Sequence, residues 1–205
     1  MVAMAILSFV MLGLYQFTMD TSRMLYSGVN RIDLDASMRR FSQTFETDIQ
    51  TADAFYLYKS FLASDRQDND GEDRLEVGDT GDFLLLVFTE PQPNTNSTVY
   101  ITKLVCYFRK YASSGLITDW GSVCRKEIDY ADQTIVASGN TVESLIANYA
   151  YTNDYPQIVM KAKGLFTDRL FYMLTTSSVK VKMEIYRGSV AGYTTEVQYL
   201  TGALR

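Results

Sequence analysis

The chain opens MVAMAILSFVMLGLYQFTM, and its first charged residue is Asp20. A stretch with no polar face cannot rest at the surface of a solvated domain, so it needs lipid, other apolar helices or burial. A secretory signal peptide calls for a basic start and a small-residue cleavage site after a short apolar run, and this run supplies neither. A membrane anchor needs roughly 20 apolar residues to cross about 30 Å of hydrocarbon. The nineteen here reach about 28 Å at roughly 1.5 Å per residue, which is just sufficient. The third reading is a helix that is apolar because it packs against copies of itself, and the residues after Asp20 favour it.

From Asp20 to Ala52 there is no proline, and Met38, Phe41, Phe45, Ile49 and Ala52 recur at helical spacing. They form one apolar stripe for packing on a sheet, with Arg39, Arg40, Gln43, Glu46 and Asp48 turned away from it. Gly13 and Gly28 interrupt the pattern, but an isolated helical glycine costs about 1 kcal/mol without breaking the helix. The expectation is one helix from about Val2 to Ala52, roughly 75 Å long. The residues after Ala52, folded compactly, span about 40 Å. Half of the helix therefore has no sheet to cover it, and the uncovered half is residues 1–19. Ala3, Ala5, Ile6, Leu7, Phe9, Val10, Leu12 and Leu14 are its packing residues, with Ala3, Ala5, Ser8 and Gly13 small enough for close helix approach.

After Ala52 the period changes. AFYLYKSFLA, DFLLLVFTE, STVYITKLVCYFRKY, GLITDWGSVC, QTIVAS, VESLIANYAY, PQIVMKAK, SSVKVKMEIYRG and AGYTTEVQYLTG are rich in β-branched and aromatic residues and read as strands. FTDRLFYMLTT fits a short helix or a strand. The expected fold class is α+β: a long N-terminal helix, residues 1–52, packed on a mostly antiparallel sheet head, residues 53–205. The helix divides into an apolar membrane or filament half, 1–19, and an amphipathic half, 20–52.

Composition narrows the chemistry. There is no histidine among the 205 residues, which removes the usual neutral-pH base, the commonest metal ligand and every Ser-His or Cys-His nucleophile pair. No Gly-rich phosphate loop, GxSxG elbow or paired-carboxylate motif compensates, so no enzymatic role and no small-molecule substrate is expected. A net charge of −5 repels phosphate backbones and argues against nucleic-acid partners. Trp120 and the fifteen tyrosines read as sheet packing.

Two clusters stand out in the head. Cys106 and Cys124 fall in consecutive expected strands; a turn centred on Gly115 sets them opposite each other, within disulfide range. Such a bridge would stabilise by roughly 3 kcal/mol and imply an oxidising compartment, whereas two separate buried thiols are the alternative. Between Asp65 and Asp82 eight acids face two arginines, so this loop carries the acidity of the whole chain. Its DRQDNDGED segment brings Asp65, Asp68, Asp70 and Asp73 close enough to share Ca²⁺, although the spacing is not that of an EF-hand. A solvated acidic hairpin tip is the competing reading.

The uncharged helix MVAMAILSFVMLGLYQF, the amphipathic continuation ASMRRFSQTFETDIQTA and the all-strand remainder together resemble the type IV pilin and pseudopilin superfamily. In that family the apolar run follows a basic leader ending in glycine, a phenylalanine and a glutamate; the chain resembles the family from just after that glutamate. FSQTFETDIQTADAFYLY, DFLLLVFTE, LVCYFRK and SSVKVKMEIYRG are most similar to the J-type minor pseudopilins of type II secretion. Glu46, Asp48, Ile49 and Ala52 match the acidic turn that ends their helix. The resemblance implies a pilin-like fold and a filament subunit that waits as a single-pass protein in the inner membrane with its head in the periplasm. It also implies other pilin or pseudopilin subunits as partners. A major pilin or adhesin and a singly anchored periplasmic binding domain are the other readings.

Overall fold

The computed structural model describes residues 2–66, 71–91, 99–109, 123–135, 142–147, 157–160, 169–184 and 194–200. Helix α1 runs unbroken from Val2 to Thr51. The chain divides into two units, Met1–Arg39 and Arg40–Arg205. The boundary falls there and not at Ala52 because the last turns of α1 belong to the head core: Phe41, Phe45 and Ile49 are fully buried and Ala52 nearly so. Met38 is half-buried.

The helix ends where an aspartate redirects the chain. Ala52 N closes the last turn on Asp48 O at 3.1 Å, and Asp53 N donates to Val87 O at 3.0 Å. Asp53 Oδ2 then accepts from Thr89 N at 2.7 Å and Thr89 Oγ1 at 2.9 Å, fixing the entry into the first strand.

The head is α+β with two antiparallel sheets. The first contains β1 (Ala54–Tyr58), β3 (Phe83–Pro91), β4 (Val99–Arg109), β5 (Val123–Ile135) and β6 (Gln157–Met160), in the order β1-β3-β4-β5-β6. The second contains β2 (Thr80–Gly81), β7 (Phe171–Thr175), β8 (Ser178–Glu184) and β9 (Thr194–Leu200), in the order β2-β7-β8-β9. A short helix, α2, covers Val142–Ala147.

Strand periodicity gives the first sheet two buried faces. Phe83, Leu85, Val87, Leu104, Cys106, Phe108, Cys124 and Ile128 form one core with Val142 and Ile146 of α2. The alternate residues Leu84, Leu86, Val105 and Tyr107 share the other face through the β3–β4 register and are fully buried. That second face lies under the last turns of α1. Phe45 meets the Tyr107 ring edge-on at 5.0 Å between centroids and stacks at 6.0 Å on Phe171, so it touches both sheets. Gly81 lies where the second sheet passes the end of β1. A Cβ there would stand 2.2 Å from Tyr58 O, so no other residue fits without moving backbone.

Several expectations change. VESLIANYAY is not a strand over its first six residues: Val142, Leu145 and Ile146 sit three and four apart on one helical face, and Val142 and Ile146 are buried in the core. QTIVAS is not a separate strand, because β5 continues through the charged KEID stretch to Ile135. The ambiguous FTDRLFYMLTT supplies strand β7. Cys106 and Cys124 are not opposite each other: Cys124 faces Phe108, and Cys106 faces Lys126. They are diagonal neighbours on one face, where Cα separations of about 7–8 Å exceed disulfide reach, and both are buried thiols with no disulfide between them.

Candidate functional site

Within the unit Met1–Arg39 the chain is helical from Val2 on, and its described apolar side chains point in every direction. Ile6, Leu7, Phe9, Val10, Leu12 and Leu14 are each more than half exposed, from 55% at Val10 to 80% at Phe9. Met11, Tyr15, Phe17 and Met19 continue this surface, and beyond Asp20 so do Met24, Leu25, Tyr26, Val29 and Ile32. The side chains of Ala3 and Ala5 lie outside the described residues. A single soluble chain rarely exposes apolar surface on this scale without something to cover it. Within the run the Thr18 hydroxyl is bonded to its own helix, Oγ1 lying 2.6 Å from Leu14 O and 2.9 Å from Tyr15 O. Charge begins at Asp20, 3.9 Å from Arg23 one turn on. Among the described residues no helix is long and apolar enough to cross a membrane. The described side chains of the run cover residues 6–19, about 21 Å of helix against about 30 Å of hydrocarbon.

A second feature, in the head, joins α1 to the first sheet. Asp48 does not turn to solvent as its place among polar neighbours implied; it is 8% exposed. Its Oδ2 accepts from the Tyr107 hydroxyl and, at 2.7 Å, from Arg125 Nε, while Oδ1 accepts from Arg125 Nη2 at 3.2 Å. Arg125 reaches Glu127 at 2.7 Å with its remaining nitrogen, and Lys103 closes the chain of charges at 3.3 Å from Glu127. Burial, then the bond to Asp48, pushes the Tyr107 hydroxyl above its ordinary range. The spacing held the signal: Asp48 lies three residues after Phe45 and four before Ala52, on the edge of the buried stripe.

The acidic loop is pinned by its own arginines. Arg66 is buried and donates to Phe61 O at 3.0 Å and to Ile146 O of α2 at 3.1 Å. Arg74 grips the buried Glu143 of α2 through Nε and Nη2, the latter at 2.9 Å, and Tyr58 donates to the same carboxylate at 2.7 Å. Burial alone raises the Glu143 carboxyl, but the hydrogen bonds from Arg74 and Tyr58 outweigh it and hold the group below the ordinary carboxylate range. At the far end of the loop Asp82 is buried, accepting from Arg109 at 3.0 Å, from Arg169 at 2.9 Å and from Leu170 N at 2.9 Å. This carboxylate joins β4 of the first sheet to the start of β7 in the second.

Of the residues expected to share calcium, Asp68 and Asp70 lie outside the described residues. Asp65 Oδ2 accepts from Ser60 Oγ at 2.6 Å. Among the described residues no three acidic or cysteine side chains converge to hold a metal ion. Asp48, Glu143 and Asp82 are instead paired with arginines, an arrangement that fixes geometry.

The fold and these features define an α+β chain with an unshielded apolar N-terminal helix and a head locked by buried carboxylate–arginine pairs. No family model, curated protein or solved structure matches it.

Proposed function

We propose that the chain is a non-enzymatic, pilin-like subunit of a type IV-like filament, and more specifically a J-type minor pseudopilin of a type II secretion system. The observation that carries the reading is the apolar helix surface from Ile6 to Met19, exposed on all sides of an unbroken helix. A helix with no polar face is about equally stable among acyl chains and among similar helices. It can therefore wait as a single span in the inner membrane, head in the periplasm, and pass into a filament core at small solvation cost. The backbone helix from Val2 to Met19 is about 27 Å long, near the thickness of a hydrocarbon core. The partners of this reading are other pilin or pseudopilin subunits.

The test is to replace residues 6–19 by an unrelated single-pass segment of equal length. The head then still reaches the membrane but no longer co-purifies with the other subunits. Unchanged co-purification would show that the apolar run is a plain anchor and that assembly resides elsewhere.

A further inference from the structure

Cys106 and Cys124 are the two cysteines of the chain, and the β4–β5 ladder sets them on one face with an offset of two residues. Both are thiols, buried in the core that Val142 and Ile146 of α2 complete. The diagonal between them is already crossed elsewhere in the same ladder. Lys103 stands opposite Asp129, yet its ammonium lies 3.3 Å from Glu127, two residues back along β5. Cys106 stands opposite Lys126, and Cys124 lies the same two residues back. A lysine side chain spans that diagonal; a cysteine pair needs Cα atoms within about 7 Å, which on neighbouring strands means residues directly opposed.

A slip of β5 by two residues against β4 opposes them. Side chains alternate along a strand, so an even slip leaves each on its own face. Cys124 stays in the core with α2, Val123 and Arg125 stay on the face beneath α1, and Lys103 comes to stand directly opposite Glu127. The ladder also holds the slack for such a slip. Between Asp129 and Thr134 four residues of β5 stand against Thr102 alone. That irregularity can take up the displaced residues while Ile101 and Tyr100 keep their partners Thr134 and Ile135. What the slip breaks is the clamp on α1. Tyr107 and Arg125 are direct partners in the ladder, and both donate to Asp48. After the slip Val123 stands opposite Tyr107, and Arg125 has been carried about 7 Å along the strand, out of its two-nitrogen grip on Asp48.

We propose that Cys106 and Cys124 form a redox switch: a disulfide between them holds β5 two residues out of its present register and frees Arg125 from Asp48, loosening the last turns of α1 from the head. The bridge forms by exchange with a small-molecule disulfide. The thiolate of one cysteine attacks a sulfur of that disulfide and expels one thiol; the thiolate of the other attacks the mixed disulfide and expels the second. Each cysteine gives up a proton and an electron, and the small disulfide leaves as its two thiols. Because both sulfurs are buried, exchange proceeds from a local opening of the head and not from its closed form. The inference stands independently of the filament reading.

The probe is oxidised glutathione, added to the full chain in detergent and compared with the same chain kept in reductant. The expected product is one intramolecular bridge, read by mass as the loss of two hydrogens and by digestion as a linked Cys106–Cys124 peptide. In the bridged chain amide exchange from Phe45 to Thr51 quickens by about tenfold, while one cooperative urea transition remains. Asp48→Ala lowers the urea midpoint of the reduced chain and leaves that of the bridged chain unchanged, an outcome that a bridge without a change of register would not give. No reaction, glutathione adducts without a bridge, a bridge that leaves exchange from Phe45 to Thr51 unchanged, an equal effect of Asp48→Ala in both forms, or a bridged chain with no cooperative transition each overturns the proposal. The exchange measurement on the parent chain decides the matter even if Asp48→Ala fails to fold.

Discussion

Asp48 and Glu143 hold the head together through the same chemistry, a buried carboxylate gripped by an arginine and a tyrosine hydroxyl. Truncating one partner of such a set strands the others away from water, which is why the loss exceeds the net strength of the pair. Asp48→Ala leaves Arg125 its contact with Glu127, so the expected cost is about 2–3 kcal/mol, read as a lower urea midpoint with an unchanged slope. Asp48→Asn, which still accepts from Tyr107, loses less; an Ala variant as stable as the parent would show that the clamp contributes nothing. Glu143 adds a pH dependence whose sign follows from its depressed folded-state pKa. The stability it supplies is complete above the unfolded-state value of about 4.3 and is lost as pH falls through the lower folded value. Parent and Glu143→Gln therefore differ most at neutral pH and draw together as pH falls below the unfolded-state value, and parallel melting curves from pH 7 to 3 would contradict the assignment. The one mark of a buried anchor in the sequence is the place of Asp48 at the edge of the apolar stripe, and its neighbours outweigh it. Asp48 sits among Glu46, Thr47 and Gln50, whose exposure is the ordinary fate of helical polar residues, and the arginine that meets it is 77 residues away.

At the scale of elements, the legible parts were those with one dominant period. Phe41, Phe45 and Ile49 sit at helical spacing with no competing signal and are the apolar residues of α1 buried on the sheet, with Ala52 buried just past its end. The change to period two after Ala52 marks β1, and Val179 and Val181 alternate with Lys180 and Lys182 along β8 as a half-buried strand must. Short segments rich in β-branched residues carried less. Val142 and Ile146 made VESLIA look like a strand, yet their four-residue spacing lets α2 cover one face of the core. Register was beyond reach, since it depends on a turn the sequence does not specify: a two-residue offset separates Cys106 from Cys124 and turns an expected bridge into two thiols. Adding reductant therefore leaves the melting temperature unchanged. A native disulfide typically contributes 2–5 kcal/mol, so a fall of several degrees would show that the cysteines are joined after all.

For the molecule as a whole, the division at Arg39 and Arg40 separates two kinds of surface chemistry. Every fully buried apolar side chain among the described residues lies at Phe41 or beyond, whereas Ile6 to Ile32 supply most of the large apolar side chains left exposed. Stability of the head and insolubility of the helix are therefore expected to be carried by separate parts of the chain. Removal of residues 1–39 leaves the Asp48, Glu143 and Asp82 clusters intact. The truncated chain should unfold in one cooperative transition within about 1 kcal/mol of the full chain in detergent, while staying monomeric without detergent at concentrations where the full chain associates. The measurements are a urea titration followed by the fluorescence of Trp120 and sedimentation of both forms. A truncated head that is molten, or that associates as strongly as the full chain, would place part of the core or the assembly surface on the wrong side of that boundary.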